Sequence, residues 1–146
     1  MSEITSNKPM NLNQELDWAL DEALRDVPEA LHAVLFSADG LVLARSSGLD
    51  REIAERTAAG LSGLSSMARG TAEFCGDPSS PWRQTVSEYD WGYILLLKAG
   101  TGAYVAVSAT QRVDMEALAN RVQVLVARLG AVMATPQRHD TGIRPT

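Results

Sequence analysis

The feature that most constrains the fold is an apolar run in the second half of the chain, Ile94-Leu95-Leu96-Leu97, which lacks the alternation of a half-exposed strand. A strand with this pattern needs both of its faces covered by other elements. Two further strand-like runs flank it, at 82–88 and 103–109. We therefore expect a sheet that lies between helical layers.

Helical spacing of apolar residues appears in three other segments. The first begins at Asn11, which forms a capping-box pattern with Gln14, and Asp50 and Asp114 are suitable N-caps for a second and a third helix. The second helix carries Gly60 among its leucines, at a cost of about 1 kcal/mol relative to alanine, so close packing is the expected compensation. Its apolar stripe is predicted to be Ile53, Thr57, Gly60, Leu61, Leu64, Ala68 and Thr71.

The order of these segments predicts the architecture. A helix is followed by two strands (31–36 and 41–44) joined by an Asp39-Gly40 turn, then by a long helix, three strands and a last helix. This order predicts an α/β (α+β) fold, a three-layer sandwich around a five-stranded, largely antiparallel sheet. We expect a single domain over 11–134, with flexible tails at 1–10 and 135–146.

Residue inventory and charge exclude several functional classes. The net charge of −5 and the absence of a basic cluster argue against a nucleic-acid partner. Cys75 is the only cysteine, predicted to be a small buried residue, and His32 and His139 are far apart, so no metal, cofactor or catalytic group can be assembled. The run at 93–97 is too short to span a membrane, and no hydrophobic signal region begins the chain. We expect a cytoplasmic protein that is not an enzyme.

Three stretches together resemble a known family. They are the hairpin AVLFSADGL at 33–41, the small-residue helix AAGLSGL at 58–64, and RQTV at 83–86 followed by GYIL at 92–95. In these stretches the sequence resembles the roadblock (dynein light chain-type) family, especially its bacterial members encoded beside small Ras-like GTPases. The resemblance implies the strand order 2-1-5-4-3, with the first and third helices on one face and the long second helix on the other.

The resemblance also implies a homodimer, because family members pair through the second helix and the third strand. The residues supply physical reasons to expect the same pairing, since Gly60 and Ser65 permit close approach of helices and the third strand has the mixed pattern of an edge strand. The predicted dimer interface consists of Gly60, Leu61, Leu64, Ser65, Ala68, Arg83 and Thr85.

Two functional interpretations remain open from the sequence. The first is a signal-transduction adaptor that binds a Ras-like small GTPase and alters its hydrolysis or location. The second is a structural scaffold in a sensor-kinase or motility complex that does not bind a GTPase. Trp18 lies opposite the apolar stripe of the first helix and is a candidate partner contact, although a lone exposed aromatic residue is also common on protein surfaces.

Overall fold

The fold was obtained as a computed structural model, which describes residues 10–134. Except for Met10, the predicted tails therefore lie outside the described residues. The order of elements agrees with the prediction. They are α1 (Leu12–Arg25), β1 (Ala30–Ser37), β2 (Val42–Arg45), α2 (Arg51–Gly70), a short 3₁₀-helix (Ala72–Cys75), β3 (Gln84–Tyr89), β4 (Gly92–Lys98), β5 (Ala103–Thr110) and α3 (Met115–Ala134).

Each α-helix begins at the cap that the sequence predicted. Asn11 accepts a hydrogen bond of 2.8 Å from the backbone of Gln14, whose side chain accepts one of 3.0 Å from the backbone of Asn11. Asp50 caps α2 and Asp114 caps α3 through backbone N–H groups of the first turn. These bonds satisfy N–H groups that have no partner within the helix.

The five strands form one sheet in the order β2-β1-β5-β4-β3, and all neighbours are antiparallel. The strand order that the resemblance implied is therefore confirmed. Gly92 at the start of β4 shows how closely the strands approach, because a Cβ atom there would lie 2.3 Å from the carbonyl oxygen of Ala109 in β5. Only glycine fits at this position.

Two apolar cores lie on opposite faces of the sheet. This agrees with the sequence of β4, in which apolar residues do not alternate with polar ones. Leu95 and Leu97 point into a core shared with α1 and α3, whereas Leu96 points into a smaller core beneath α2. The chain is thus a three-layer α+β sandwich, with two helices on one face and one long helix on the other. By length and composition alone α3 is apolar enough to cross a membrane, but its residues Leu118, Val122, Leu125 and Leu129 are buried in the first core.

The inward face of α2 differs from the predicted stripe. Ala54 and Ala58 are fully buried against the sheet, whereas Ile53 is exposed, so the stripe is displaced by about one residue at this end of the helix. Alanine allows the helix axis to approach the sheet closely, and a buried isoleucine would hold it away. Gly60 is exposed, with nothing within 4 Å of the position of a Cβ atom, so residues 10–134 do not supply the expected close packing.

Candidate interaction surfaces

The two edges of the sheet differ in their protection. At the β2 edge, Asp17 of α1 accepts a hydrogen bond of 3.1 Å from the N–H of Arg45, and Asp21 accepts one of 2.8 Å from the N–H of Ser47. Backbone groups that a free edge would present to another strand are therefore occupied by two carboxylates. These two bonds hinder strand addition at the end of β2, and we call this the closed edge.

The β3 edge is open. Within residues 10–134, no other element makes a hydrogen bond to the outer side of β3, whose backbone bonds go to β4. Val86, in the middle of the strand, is 44% exposed and stands opposite Leu95, which places its side chain on the same face as α1 and α3. An exposed strand of six residues with an apolar centre is a natural place for a second strand to pair.

A hydrogen-bonded loop leads into this open edge. The backbone N–H and the hydroxyl of Ser79 donate hydrogen bonds of 2.9 and 2.7 Å to Asp77. These bonds hold the pKa of the Asp77 carboxyl below its ordinary value, the backbone bond having the larger effect. Further along, the Trp82 indole donates a bond of 2.9 Å to Thr85 Oγ1 at the start of β3. The position of β3 is thus defined by its own approach loop as well as by β4.

The helical residues of the predicted interface fall into two groups. Gly60 is exposed on the outer side of α2, and Ala68 is half-buried. Leu61 and Leu64 are half-buried because they pack on the smaller core, and Ser65 is buried with its hydroxyl bonded to the carbonyl oxygen of Ser62. Part of the predicted set therefore already packs against this chain's own sheet.

The two predicted strand residues lie at the open edge. Arg83 is exposed just before β3, and Thr85 is half-buried on the α2 side of the sheet, opposite Leu96. Behind them, Arg69 of α2 bonds to the Tyr104 hydroxyl. Trp82 of the approach loop also packs against Tyr104, so the C-terminal part of α2 and the approach to β3 lie on the same face of the sheet.

Exposed apolar residues near the ends of α2 and β3 were not identified from the sequence. Phe74 after α2 is 96% exposed, and Trp91 at the β3–β4 turn is 83% exposed. The expectation that Cys75 is buried is wrong, because it lies on the exposed 3₁₀-helix. The sequence did contain a signal for Val86. It alternates with the polar Thr85 and Ser87, which indicates that its side chain points to the other face of the strand from theirs.

Trp18 has a partner within the chain. The guanidinium of Arg128 in α3 stacks over its indole ring at 4.9 Å from the ring centre, and the same guanidinium pairs with Glu22. The ring remains 44% exposed. Trp18 is thus an oriented aromatic surface held between α1 and α3.

Reactive side chains do not converge in the part of the chain that the structure describes. Residues 10–134 contain no group of three or more His, Cys, Asp or Glu side chains that could hold a metal ion. The acidic residues with defined partners instead cap helices, bond to the β2 edge, pair with arginines or, like Asp77, accept a hydrogen bond from a nearby serine. Surfaces, rather than a reaction centre, are the prominent features of this fold.

Comparison with known proteins gives a consistent picture. The Roadblock/LC7 domain model matches residues 16–109. The crystal structure of a Roadblock/LC7 domain from Streptomyces avermitilis is 34% identical, with a TM-score of 0.76 over 82% of this chain and 98% of that one. The gliding protein MglB from Thermus thermophilus is similar in fold at 16% identity, with a TM-score of 0.73 over 86% of this chain and 93% of that one. A structure described as MglB with tetrameric arrangement has 15% identity and a TM-score of 0.74, over 86% of this chain and 92% of that one. A search of curated proteins found no match.

Proposed function

The chain belongs to the Roadblock/LC7 domain family, and from that membership we propose that it is a non-enzymatic, cytoplasmic homodimeric adaptor that binds a Ras-like small GTPase. The observation that carries the proposal is the contrast between the two sheet edges. Asp17 and Asp21 protect one edge, whereas nothing among residues 10–134 covers the other, which has the apolar Val86 at its centre. Pairing of two β3 strands would satisfy the free backbone groups of both copies.

Symmetry restricts how two such strands can pair. A twofold axis perpendicular to the sheet keeps each residue on its own face, so residues directly opposite each other must share a face. Val86 lies on the α1 and α3 face together with Gln84 and Glu88, which are two positions away on either side. Centring the axis on Val86 buries its exposed side chain against its own copy and sets Gln84 opposite Glu88. We take this as the register of the dimer.

Charge supports the same antiparallel arrangement. Arg83 stands at one end of β3, and Glu88 and Asp90 stand at the other. In the register centred on Val86, Arg83 of one copy lies opposite Tyr89 of its partner, so the basic end of each strand lies beside the acidic end of the other, with the Arg83 and Glu88 side chains on opposite faces of the sheet. Opposite charges near each other across strands contribute modestly to pairing and more to its register.

The GTPase part of the proposal rests on the family resemblance. The bacterial members that this sequence resembles are encoded beside small Ras-like GTPases, and the alternative, a scaffold in a sensor-kinase or motility complex, uses the same dimer without a GTPase. Both functions need surfaces rather than a reaction centre. The prominent exposed aromatic residues Trp18, Phe74 and Trp91 are consistent with either.

The dimer is tested by a charge placed at its centre. Val86→Lys sets two ammonium groups opposite each other at the axis, so we expect a monomer by size-exclusion chromatography with light scattering, whereas the unchanged chain is a dimer. Val124→Lys is the matched control, because Val124 is also exposed and lies on α3, away from the edge. Leu64→Asp is a weaker test, since Leu64 packs on this chain's own core. A dimer that persists in Val86→Lys refutes the proposed register.

The partner is tested by co-purification with the small GTPase of the same cell, loaded with GDP or with a non-hydrolysable GTP analogue. Binding that depends on the nucleotide supports the adaptor function, and hydrolysis rates with and without this protein then show whether it changes turnover. Repeating the binding measurement with Val86→Lys shows whether the monomer binds the GTPase or whether the dimer is required. Absence of binding in both nucleotide states contradicts GTPase binding and favours the scaffold.

A further inference from the structure

The turn between β3 and β4 carries two large aromatic side chains that residues 10–134 leave exposed. Tyr89 is 56% exposed at the end of β3, and Trp91 is 83% exposed in the two-residue turn that follows. Neither ring makes an aromatic or cation–π contact within the described part of the chain. Two neighbouring exposed rings at the end of an open edge strand indicate a contact surface.

The approach loop, residues 76–83, forms a second exposed surface at the other end of β3. The Ser80 N–H donates a hydrogen bond of 3.1 Å to the carbonyl oxygen of Asp77, whose carboxylate also binds Ser79, so bonds within the loop define its path. The loop presents Pro81 and Arg83, and both are exposed. Arg83 makes no ion pair within residues 10–134, although the chain has a net charge of −5.

The proposed dimer brings these two surfaces together at each end of the paired strands. In the antiparallel register centred on Val86, Arg83 of one copy stands directly opposite Tyr89 of the other, and both lie on the α2 face. Side chains in such positions have Cβ atoms about 4.5–5.5 Å apart. The contact is particular to this register, because an axis centred on Thr85 would set Arg83 opposite Ser87.

The facing groups are chemically matched. A guanidinium group is attracted to the face of a tyrosine ring, and Arg83 has no competing anionic partner within residues 10–134. In the same register Pro81 of one copy stands level with Trp91 of the other. Proline and tryptophan have few rotatable bonds, so ordering them at an interface costs little side-chain entropy.

The apolar area of β3 alone is small for a stable dimer. Specific interfaces bury about 1,200–2,000 Å² in total. The six residues of β3 include a single aliphatic side chain, Val86. A buried tyrosine or tryptophan removes about 150–250 Å² from water, and each copy has one of each exposed at the turn. The rings therefore offer the apolar area that the strand lacks.

We propose that in the dimer the β3–β4 turn of each copy packs against the approach loop of its partner, with the Arg83 guanidinium over the Tyr89 ring and Trp91 against Pro81. The inference rests on the dimer and the register proposed above. It assigns the two rings of the turn to self-association. The experiments therefore omit the GTPase and measure the dimer itself.

The contribution of the turn is tested through the dissociation constant of the dimer, measured by sedimentation equilibrium of the full chain. Trp91→Ala should raise this Kd by about tenfold or more, as truncation of an aromatic anchor does at other interfaces. Leu41→Ala is the matched control, because Leu41 is 63% exposed beside the β1–β2 turn, and should leave the Kd unchanged.

Equal dissociation constants for Trp91→Ala and Leu41→Ala overturn the packing of the turn. Dissociation of the dimer by Val86→Lys would still support the strand pairing in that case. An unchanged chain that is monomeric refutes the dimer, and the inference with it.

The contact between Arg83 and Tyr89 is tested by a double-mutant cycle on the same Kd. Tyr89→Phe keeps the ring and should leave the Kd unchanged, whereas Tyr89→Ala and Arg83→Gln should each raise it. Because the dimer contains this contact twice, we expect a coupling of about fivefold or more between the two damaging changes. Strictly additive effects would show that the two side chains do not meet.

Fluorine NMR of the full chain labelled with 5-fluorotryptophan gives an independent readout. Trp91→Phe and Trp18→Phe assign the two resonances. We expect the Trp91 resonance to differ between the unchanged dimer and the Val86→Lys monomer, with a smaller solvent isotope shift in the dimer because the ring is covered. The Trp18 resonance should not change. An identical Trp91 resonance in the two states, with sedimentation confirming dimer and monomer, overturns the inference and leaves the dimer standing.

Discussion

Asp17 in α1 accepts a hydrogen bond of 3.1 Å from the backbone N–H of Arg45, the last residue of β2. The bond joins a helix on one face of the sheet to its outermost strand. Together with the bond from Ser47 to Asp21, it occupies backbone groups that would otherwise be free to recruit another strand. This contact therefore helps to decide which edge of the sheet remains available.

Removing the Asp17 carboxylate should lower stability without changing the oligomeric state. Asp17→Ala leaves the part-buried Arg45 N–H without its charged acceptor, and we expect a loss of about 1–2 kcal/mol in the free energy of unfolding, measured by urea denaturation. Asn13→Ala, an exposed change in the same helix, is the control for the gain in helix propensity. Equal stability of the two variants would show that the edge bond contributes nothing.

Val86→Cys should cross-link the dimer when Cys75 is replaced by serine to remove the exposed native thiol. Directly opposite residues on antiparallel strands have Cβ atoms about 4.5–5.5 Å apart, close to what a disulfide requires. Gln84→Cys, two positions away on the same face, should remain reduced because its copies lie roughly 14 Å apart along the strands. Cross-linking is read by non-reducing electrophoresis after mild oxidation, and preferential cross-linking at Gln84→Cys would contradict the register.

Gly92→Ala should be strongly destabilising. Its Cβ atom would lie 2.3 Å from the carbonyl oxygen of Ala109, and because that neighbour is backbone, the β4–β5 pairing must shift to make room. We expect a loss of about 3 kcal/mol or more, since overpacking against backbone is among the severe classes of substitution. Thermal unfolding measures it, and a loss below that of an ordinary surface change would be inconsistent with the close approach.

Gly60→Ala, unlike Gly92→Ala, should raise the stability of the monomer. The site of the new Cβ atom is open, and alanine in a helix interior is favoured over glycine by about 1 kcal/mol. We expect this gain in the monomeric Val86→Lys background by urea denaturation. In the dimeric chain, the same substitution should weaken self-association if Gly60 lies at a close helix contact, as predicted. Unchanged dimer affinity would remove Gly60 from the interface.

If the chain binds a Ras-like GTPase as proposed, Trp18→Ala should lower the affinity for that GTPase by about tenfold or more, as expected for an aromatic anchor that is already oriented before binding. Arg128 stacks over the indole ring, and Trp18 remains 44% exposed. Leu12→Ala is the control, because Leu12 is a similarly exposed apolar residue of α1. Calorimetric titration measures both, and equal affinities would remove Trp18 from the contact surface.

Much of the fold was predictable because its signals are local. Helix starts at Asn11, Asp50 and Asp114 depend on side chains that bond to backbone groups two or three residues away. The apolar run of β4 demands cover on both faces wherever the strand lies. The rotation of α2 was not predictable to the same degree, since Ile53 and Ala54 exchange roles according to how near the helix can approach the sheet.

The sequence by itself determined the order of elements, the helix caps and the three-layer arrangement, because these follow from residue type, periodicity and short-range bonding. Only the tertiary structure decided which edge is closed, because Asp17 and Arg45 are 28 positions apart. Such contacts depend on the register and packing of distant segments, which no local pattern encodes.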